Sequence, residues 1–188
     1  AEAFKVVLSD RREFSAELLL ADERTDLAVL KILDAEEQFP ALPYRNSDTV
    51  NVGDFVLAIG NPFGVGQTVT NGIVSALART SVGVTDFQSF IQTDAPINPG
   101  NSGGALVTMD GRLLGVNTAI YTRSGGSVGI GFAIPSNLVQ QVVDAALSDG
   151  RIVRPWAGME LQKVSQSLAQ TLGSVSYTHL TLPTNREV

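Results

Sequence analysis

The sequence predicts an all-β protein, a sandwich or barrel, with one helix towards its C-terminal end. Three observations carry this expectation. Glycine is abundant, at 18 of 188 residues. The apolar runs are short, and turn formers bound them. Only one stretch has the apolar period of a packed helix.

The elements follow in order. Residues 4–8 and 14–20 are strand candidates around an Asp10-Arg11-Arg12 turn, and residues 27–33 form a third. Residues 55–59 follow Gly53 and stop at the turn former Gly60-Asn61-Pro62. Residues 67–77 carry several β-branched side chains, with a kink expected at Gly72. Strands at 90–93, 104–108 and 113–119 come next, and Asp110-Gly111 predicts a hairpin between the last two. Residues 129–134 form the final strand of the series. A helix then starts with Ser136 or Asn137 as cap and ends before Gly150. Its Leu138, Val139, Val142, Val143, Ala146 and Leu147 share one face, which is expected to pack as core.

Composition narrows the function classes. Hydrophobic residues make up 44% and charged residues 17%, enough to bury a core. The net charge of −6, without a long charge run, argues against a nucleic-acid partner, which needs a basic face. There is no cysteine, and no apolar run approaches membrane-span length. No Cys/His cluster suggests a metal, and no cofactor is expected. Gly64-Val65-Gly66 and Gly125-Gly126 lack the Gly-Lys-Ser/Thr ending of a phosphate loop.

The chemistry concentrates in Asn98-Pro99-Gly100-Asn101-Ser102-Gly103-Gly104, which places a serine in a tight glycine turn. A serine hydroxyl becomes a good nucleophile only when a base removes its proton. Backbone N–H groups of Gly100, Asn101 and Ser102 are candidate donors for an oxyanion hole. An ordinary glycine turn would have the same sequence. Asp26, in Thr25-Asp26-Leu27-Ala28-Val29-Leu30, is either a strand-start residue or the carboxylate that orients a catalytic histidine. The order Asp26 then Ser102 fits the chymotrypsin-type order His, Asp, Ser. That order needs a histidine before Asp26, yet the only histidine is His179.

Residues 1 to about 150 resemble the trypsin-like protease domain of the HtrA/Deg (protease Do) family. The resemblance runs through the Asp26 segment, Ala58-Ile59-Gly60-Asn61-Pro62-Phe63-Gly64 and Thr70-Asn71-Gly72-Ile73-Val74-Ser75. It continues through Ile91-Gln92-Thr93-Asp94-Ala95, the Ser102 turn and Gly129-Ile130-Gly131-Phe132-Ala133-Ile134-Pro135. It implies a chymotrypsin/trypsin-like double β-barrel, the first barrel incomplete here, followed by a C-terminal helix. It matches Ser102 to the nucleophile, Asp26 to the triad aspartate, and Gly100 with the Ser102 amide to the oxyanion hole. The family's histidine lies in a Thr-Asn-x-His-Val-Val-like segment expected just before Ala1, so the chain as given is expected to be inactive. Loops around 79–86, 97–101 and 121–127 resemble the family's regulatory loops. Apolar Ala95, Pro96 and Ile97 predict a preference for small aliphatic side chains at the cleavage position.

The resemblance further implies an ATP-independent, periplasmic serine endopeptidase that cuts unfolded proteins or peptides, working as a homo-trimer or larger homo-oligomer. The alternative is a pseudoprotease that binds unfolded chains without cutting. Residues 151–174, from Arg154-Pro155-Trp156 onward with a helix start at 166–172, resemble the beginning of a PDZ domain. Residues 175–188 break that pattern and resemble a translated sequencing adapter, so they are expected to be foreign to the gene.

Overall fold

A computed structural model describes residues 4–61, 66–79, 90–98, 100–120, 129–148, 150–152, 159–162, 170–171 and 180–183. The strands are β1 (Phe4–Val7), β2 (Glu13–Asp22), β3 (Leu27–Ile32), β4 (Phe55–Gly60), β5 (Thr68–Arg79), β6 (Phe90–Thr93), β7 (Ala105–Thr108), β8 (Leu113–Ile120) and β9 (Gly131–Pro135). Helix α1 (Ser136–Leu147) follows, then β10 (Met159–Gln162) and β11 (Leu180–Pro183). The chain divides into two compact units, Ala1–Ile152 and Val153–Val188.

The first unit holds an open antiparallel sheet, β1-β2-β3, and a closed six-stranded barrel in the order β4-β5-β6-β9-β8-β7. A mostly β chain with a closed barrel and one C-terminal helix is the expected architecture. Closure removes the free edges of the second sheet. The barrel interior is filled by Val56, Val74, Ile91, Leu106, Leu114 and Ala133, none more than 2% exposed. A second cluster lies under α1, where Phe90, Phe132, Ile134 and Val139 pack together. Phe90 and Ile91 are both buried because successive strand residues serve the two clusters in turn. Helix α1 packs on β8, β3, β9 and β2, so it joins the barrel to the open sheet.

Three local expectations are corrected. Ser136 and Asn137 do not cap α1 with their own side chains; Pro135 occupies that position without a side-chain bond. The Ser136 hydroxyl instead donates to the Arg45 carbonyl. Asn137 Oδ1 accepts from the Ser47 amide at 3.1 Å, and its Nδ2 donates to Asn46 Oδ1 at 2.9 Å. The helix start is thus knotted to the connection between sheet and barrel. Gly72 is not a kink: β4 and β5 stay in register across it, and the irregularities fall between Val74 and Arg79. Glycine is needed there because a Cβ would lie 2.3 Å from the Ala95 nitrogen. Leu147 is 70% exposed, since it sits in the last turn of α1 at the edge of the packed stripe.

The β7–β8 hairpin forms at Asp110-Gly111, with Gly111 at φ +77°. Asp110 accepts from the Thr108 hydroxyl and pairs with Arg112 Nε at 3.1 Å. The Thr108 bond, with the nearby arginines, holds the Asp110 carboxyl below its ordinary value of 3.8. A depressed carboxyl stabilises the fold at pH above 3.8, and the contribution fades as pH falls through the lowered value. Asp110→Asn is therefore expected to flatten the acid limb of the stability–pH curve below pH 3.8, measured by urea unfolding.

In the second unit β10 and β11 form an antiparallel ribbon, Met159 facing Pro183. Of the helix expected at 166–172, residues 170 and 171 are described, as helix. The loop segments 80–86 and 121–127, the glycines at 64 and 125–126, Trp156 and His179 lie outside the described residues.

Candidate active site

Ser102 lies between β6 and β7, two glycines before β7 begins. Gly100, at φ +104°, and Gly103, at φ +81°, supply the left-handed backbone that turns the chain around it. Asn101, between them and only 1% exposed, anchors the turn. Its amide donates to the Asn98 carbonyl at 3.0 Å, and its carbonyl accepts from the Gly104 amide at 3.0 Å. Of the three amides expected to converge on an oxyanion, that of Asn101 is engaged by the Asn98 carbonyl.

The Ser102 hydroxyl is exposed and donates to the Thr118 carbonyl at 2.9 Å. The Thr118 hydroxyl donates to Asp26 Oδ2 at 2.7 Å. One residue of β8 therefore ties Ser102 to Asp26. Sequence reasoning missed Thr118; the available signal was a polar Asn117-Thr118 pair inside an otherwise apolar strand.

Asp26 owes its position to the turn before β3. Thr25, buried at 3%, donates to the Asp22 carboxylate at 2.6 Å. Asp26 itself adopts φ +58°, in the left-handed region. Asn and Asp enter that region readily, whereas a β-branched residue is strained there. Asp26→Asn is therefore expected to keep the stability of the parent, and Asp26→Val to lose about 1–2 kcal/mol, as chemical denaturation would record.

A cleft of about 360 Å³ opens between β3, β8 and α1. Asp26, Ser102 and Thr118 line its polar rim, and Val29, Val139 and Val143 its apolar wall. The residues expected to form a cleavage-position pocket behave differently. Ala95 and Ile97 are 0% and 1% exposed and belong to the barrel core. Ile97 lies so close to Gly131 that a Cβ there would sit 2.8 Å from its Cδ1. Both apolar side chains are sealed inward, so neither faces an open pocket. Among the described residues, no group of three or more His, Cys, Asp or Glu side chains is placed to hold a metal ion. Among them, too, no helix is long and apolar enough to cross a membrane.

A closed barrel, a partnering open sheet and a serine turn facing an aspartate across their seam define a trypsin-like peptidase fold. Residues 1–116 match the family described as Trypsin-like peptidase domain. The "Probable periplasmic serine endoprotease DegP-like" of Brucella suis biovar 1 (strain 1330) is 49% identical over 172 residues, which cover 92% of this chain and 33% of that protein. Its counterpart in Chlamydia trachomatis serovar D is 49% identical over 164 residues, 87% of this chain and 33% of that protein. Among solved structures, "HtrA-type protease AlgW with tripeptide" superposes with TM-score 0.85 at 48% identity, covering 100% of this chain and 62% of that one. "HtrA-type protease AlgW with decapeptide" gives TM-score 0.81 at 49% identity, covering 96% and 55%. The chain belongs to the trypsin-like peptidase family, in its HtrA/Deg branch. It spans about a third of the length of the curated relatives it matches. Those relatives are named periplasmic, and the resemblance places this chain in the periplasm with them.

Proposed function

We propose that this chain is part of an ATP-independent serine endopeptidase that cuts unfolded proteins by acyl-enzyme chemistry in periplasmic quality control. Ser102 is the nucleophile, Asp26 orients the base, and the amides of Gly100 and Ser102 hold the oxyanion. The observation that carries this reading is the bonded line from Ser102 through Thr118 to Asp26 at the rim of one cleft. The base is a histidine that precedes Asp26 in the chain order, and residues 1–25 contain none, so these 188 residues alone are inactive.

Residues 151–174 are the opening of a PDZ domain, and residues 175–188 are foreign to the gene, although their Leu180–Pro183 strand pairs with Met159–Gln162. The whole protein is a homo-trimer or larger assembly. In support of this, Val52, Phe55 and Val69 lie 60%, 65% and 55% exposed on or beside β4 and β5, an apolar outer face suited to another copy. The test is digestion of a reduced, unfolded protein and of its folded form by the full-length protein, without nucleotide. Selective loss of the unfolded substrate, abolished by Ser102→Ala, is expected. Binding without cleavage in both forms would replace the peptidase reading with the non-catalytic chaperone one.

A further inference from the structure

We infer that Asn117 is a positioning residue that sets the height of the Ser102 turn, a role that rests on the proposed reading of Ser102 as nucleophile. Asn117 is 1% exposed in the middle of β8. Its carbonyl accepts from the Gly103 amide at 2.8 Å, and its amide donates to the Gly104 carbonyl at 2.9 Å. Both residues that follow Ser102 are thus bonded to Asn117. Its side-chain Nδ2 then reaches two further carbonyls, Ala105 at 3.3 Å and Ile59 at 3.5 Å. These are long bonds, and together they place one donor between β4, β7 and β8.

The Ile59 carbonyl is also what Gly104 packs against, since a Cβ on Gly104 would lie 2.0 Å from that oxygen. The Ile59–Gly60 backbone, Gly104 and the Asn117 carboxamide therefore form a floor beneath Ser102. Asn101, the residue before Ser102, meets the same floor: a Cβ on Gly60 would lie 2.7 Å from Asn101 Oδ1.

The floor carries a stability cost. Among the described residues, the carboxamide oxygens of Asn101 and Asn117 are both buried without a hydrogen-bond partner. A buried acceptor without a donor destabilises a fold, and an aliphatic side chain of similar size avoids that. A residue that breaks this rule beside a functional turn is acting on geometry rather than on stability. The Asn117 Nδ2 group is the part that compensates. It holds the Ile59 carbonyl of β4 and the Ala105 carbonyl of β7 together, and hence the spacing of residues 102–105 from β4.

The test separates geometry from stability. Asn117→Val removes both the donor and the partnerless oxygen, and Asn117→Ser restores one donor. Asn117→Val is expected to unfold at or above the parent's temperature. At the same time, amide hydrogen exchange at Gly103 and Gly104 should rise about tenfold while the rest of the barrel is unchanged. Asn117→Ser should return part of the protection. In the full-length protein, Asn117→Val should lower the rate of Ser102 phosphonylation by a fluorophosphonate about tenfold, while KM for a peptide stays near the parent's. Exchange that rises throughout the barrel together with a lower melting temperature would overturn the inference. So would unchanged exchange at Gly103 and Gly104. If Asn117→Val does not fold, Asn117→Ser decides by the same two amides: parental exchange there overturns the inference, and raised exchange supports it. Parent protein that is not phosphonylated at all would instead overturn the peptidase reading and leave the exchange result standing.

Discussion

Gly104→Ala is expected to destabilise the fold by about 4 kcal/mol or more, placing it among the rare severe single substitutions. The reason is space. An added Cβ would lie 2.0 Å from the Ile59 carbonyl oxygen, 2.9 Å from the Asn101 carbonyl oxygen and 3.0 Å from the Ile59 carbonyl carbon. All three neighbours are backbone, so no side chain can swing away. Relief requires either β4 or the Ser102 turn to move, and each is fixed. Ile59 is paired with Val69 in the barrel, and Asn101 is bonded to Asn98 and Gly104. Gly103→Ala is the control. Its Cβ would meet nothing within 4 Å, but its φ of +81° is unfavourable for alanine. That substitution should cost only about 1 kcal/mol, from backbone conformation alone. Urea unfolding of the two variants side by side distinguishes crowding from strain. Similar losses for both would show that the Ser102 turn is free to retreat from β4, which would contradict the tight floor described above.

The contrast between these neighbouring glycines also marks what the sequence made legible. A glycine pair after a serine announces a sharp turn, but not which glycine is held by conformation and which by crowding. Strands β1 to β9 are readable because each is a short apolar run between turn formers, and their bounds in the structure differ by at most two residues, whereas β10 and β11 carry no such signal. The pairing of β6 with β9 was not readable from periodicity, because nothing local in either strand records its neighbour. Only the family resemblance supplied the barrel. The sequence does not reveal that Ser136 and Asn137 are not caps for the same reason: their partners Arg45, Asn46 and Ser47 lie about ninety residues away. Ser102 and Asp26 were legible as residue types in a known order. Thr118, which joins them, was not, because a threonine in a strand is ordinarily chosen for its β-branched shape. Ile97 shows the converse. Its apolar character was read as a pocket wall, yet its side chain completes the core against Gly131.

The second large effect concerns the missing base. The chain as given is expected to cleave a fluorogenic peptide no faster than its Ser102→Ala variant. Extended upstream to carry a histidine, it is expected to gain on the order of 10⁶-fold in kcat, the loss seen when a triad base is removed. Among the described residues, the geometry explains why no substitute is at hand. The Ser102 proton is directed at the Thr118 carbonyl, which accepts a hydrogen bond but does not take the proton away at neutral pH. Asp26 spends Oδ2 on the Thr118 hydroxyl, while Oδ1 has no partner among the described residues. An imidazole entering the cleft would find that oxygen for one N–H and the Ser102 hydroxyl for the other nitrogen. Only the neutral ring can accept the proton. The extended chain should therefore gain activity as pH rises through about 6.5 and lose it below. Asp26→Asn in the extended chain should then reduce kcat about 10⁴-fold while the fold persists, because it holds the ring in the wrong tautomer. Cleavage by the unextended chain above the Ser102→Ala background would reveal another base within these residues, and the assignment of roles to Ser102 and Asp26 would fail with it.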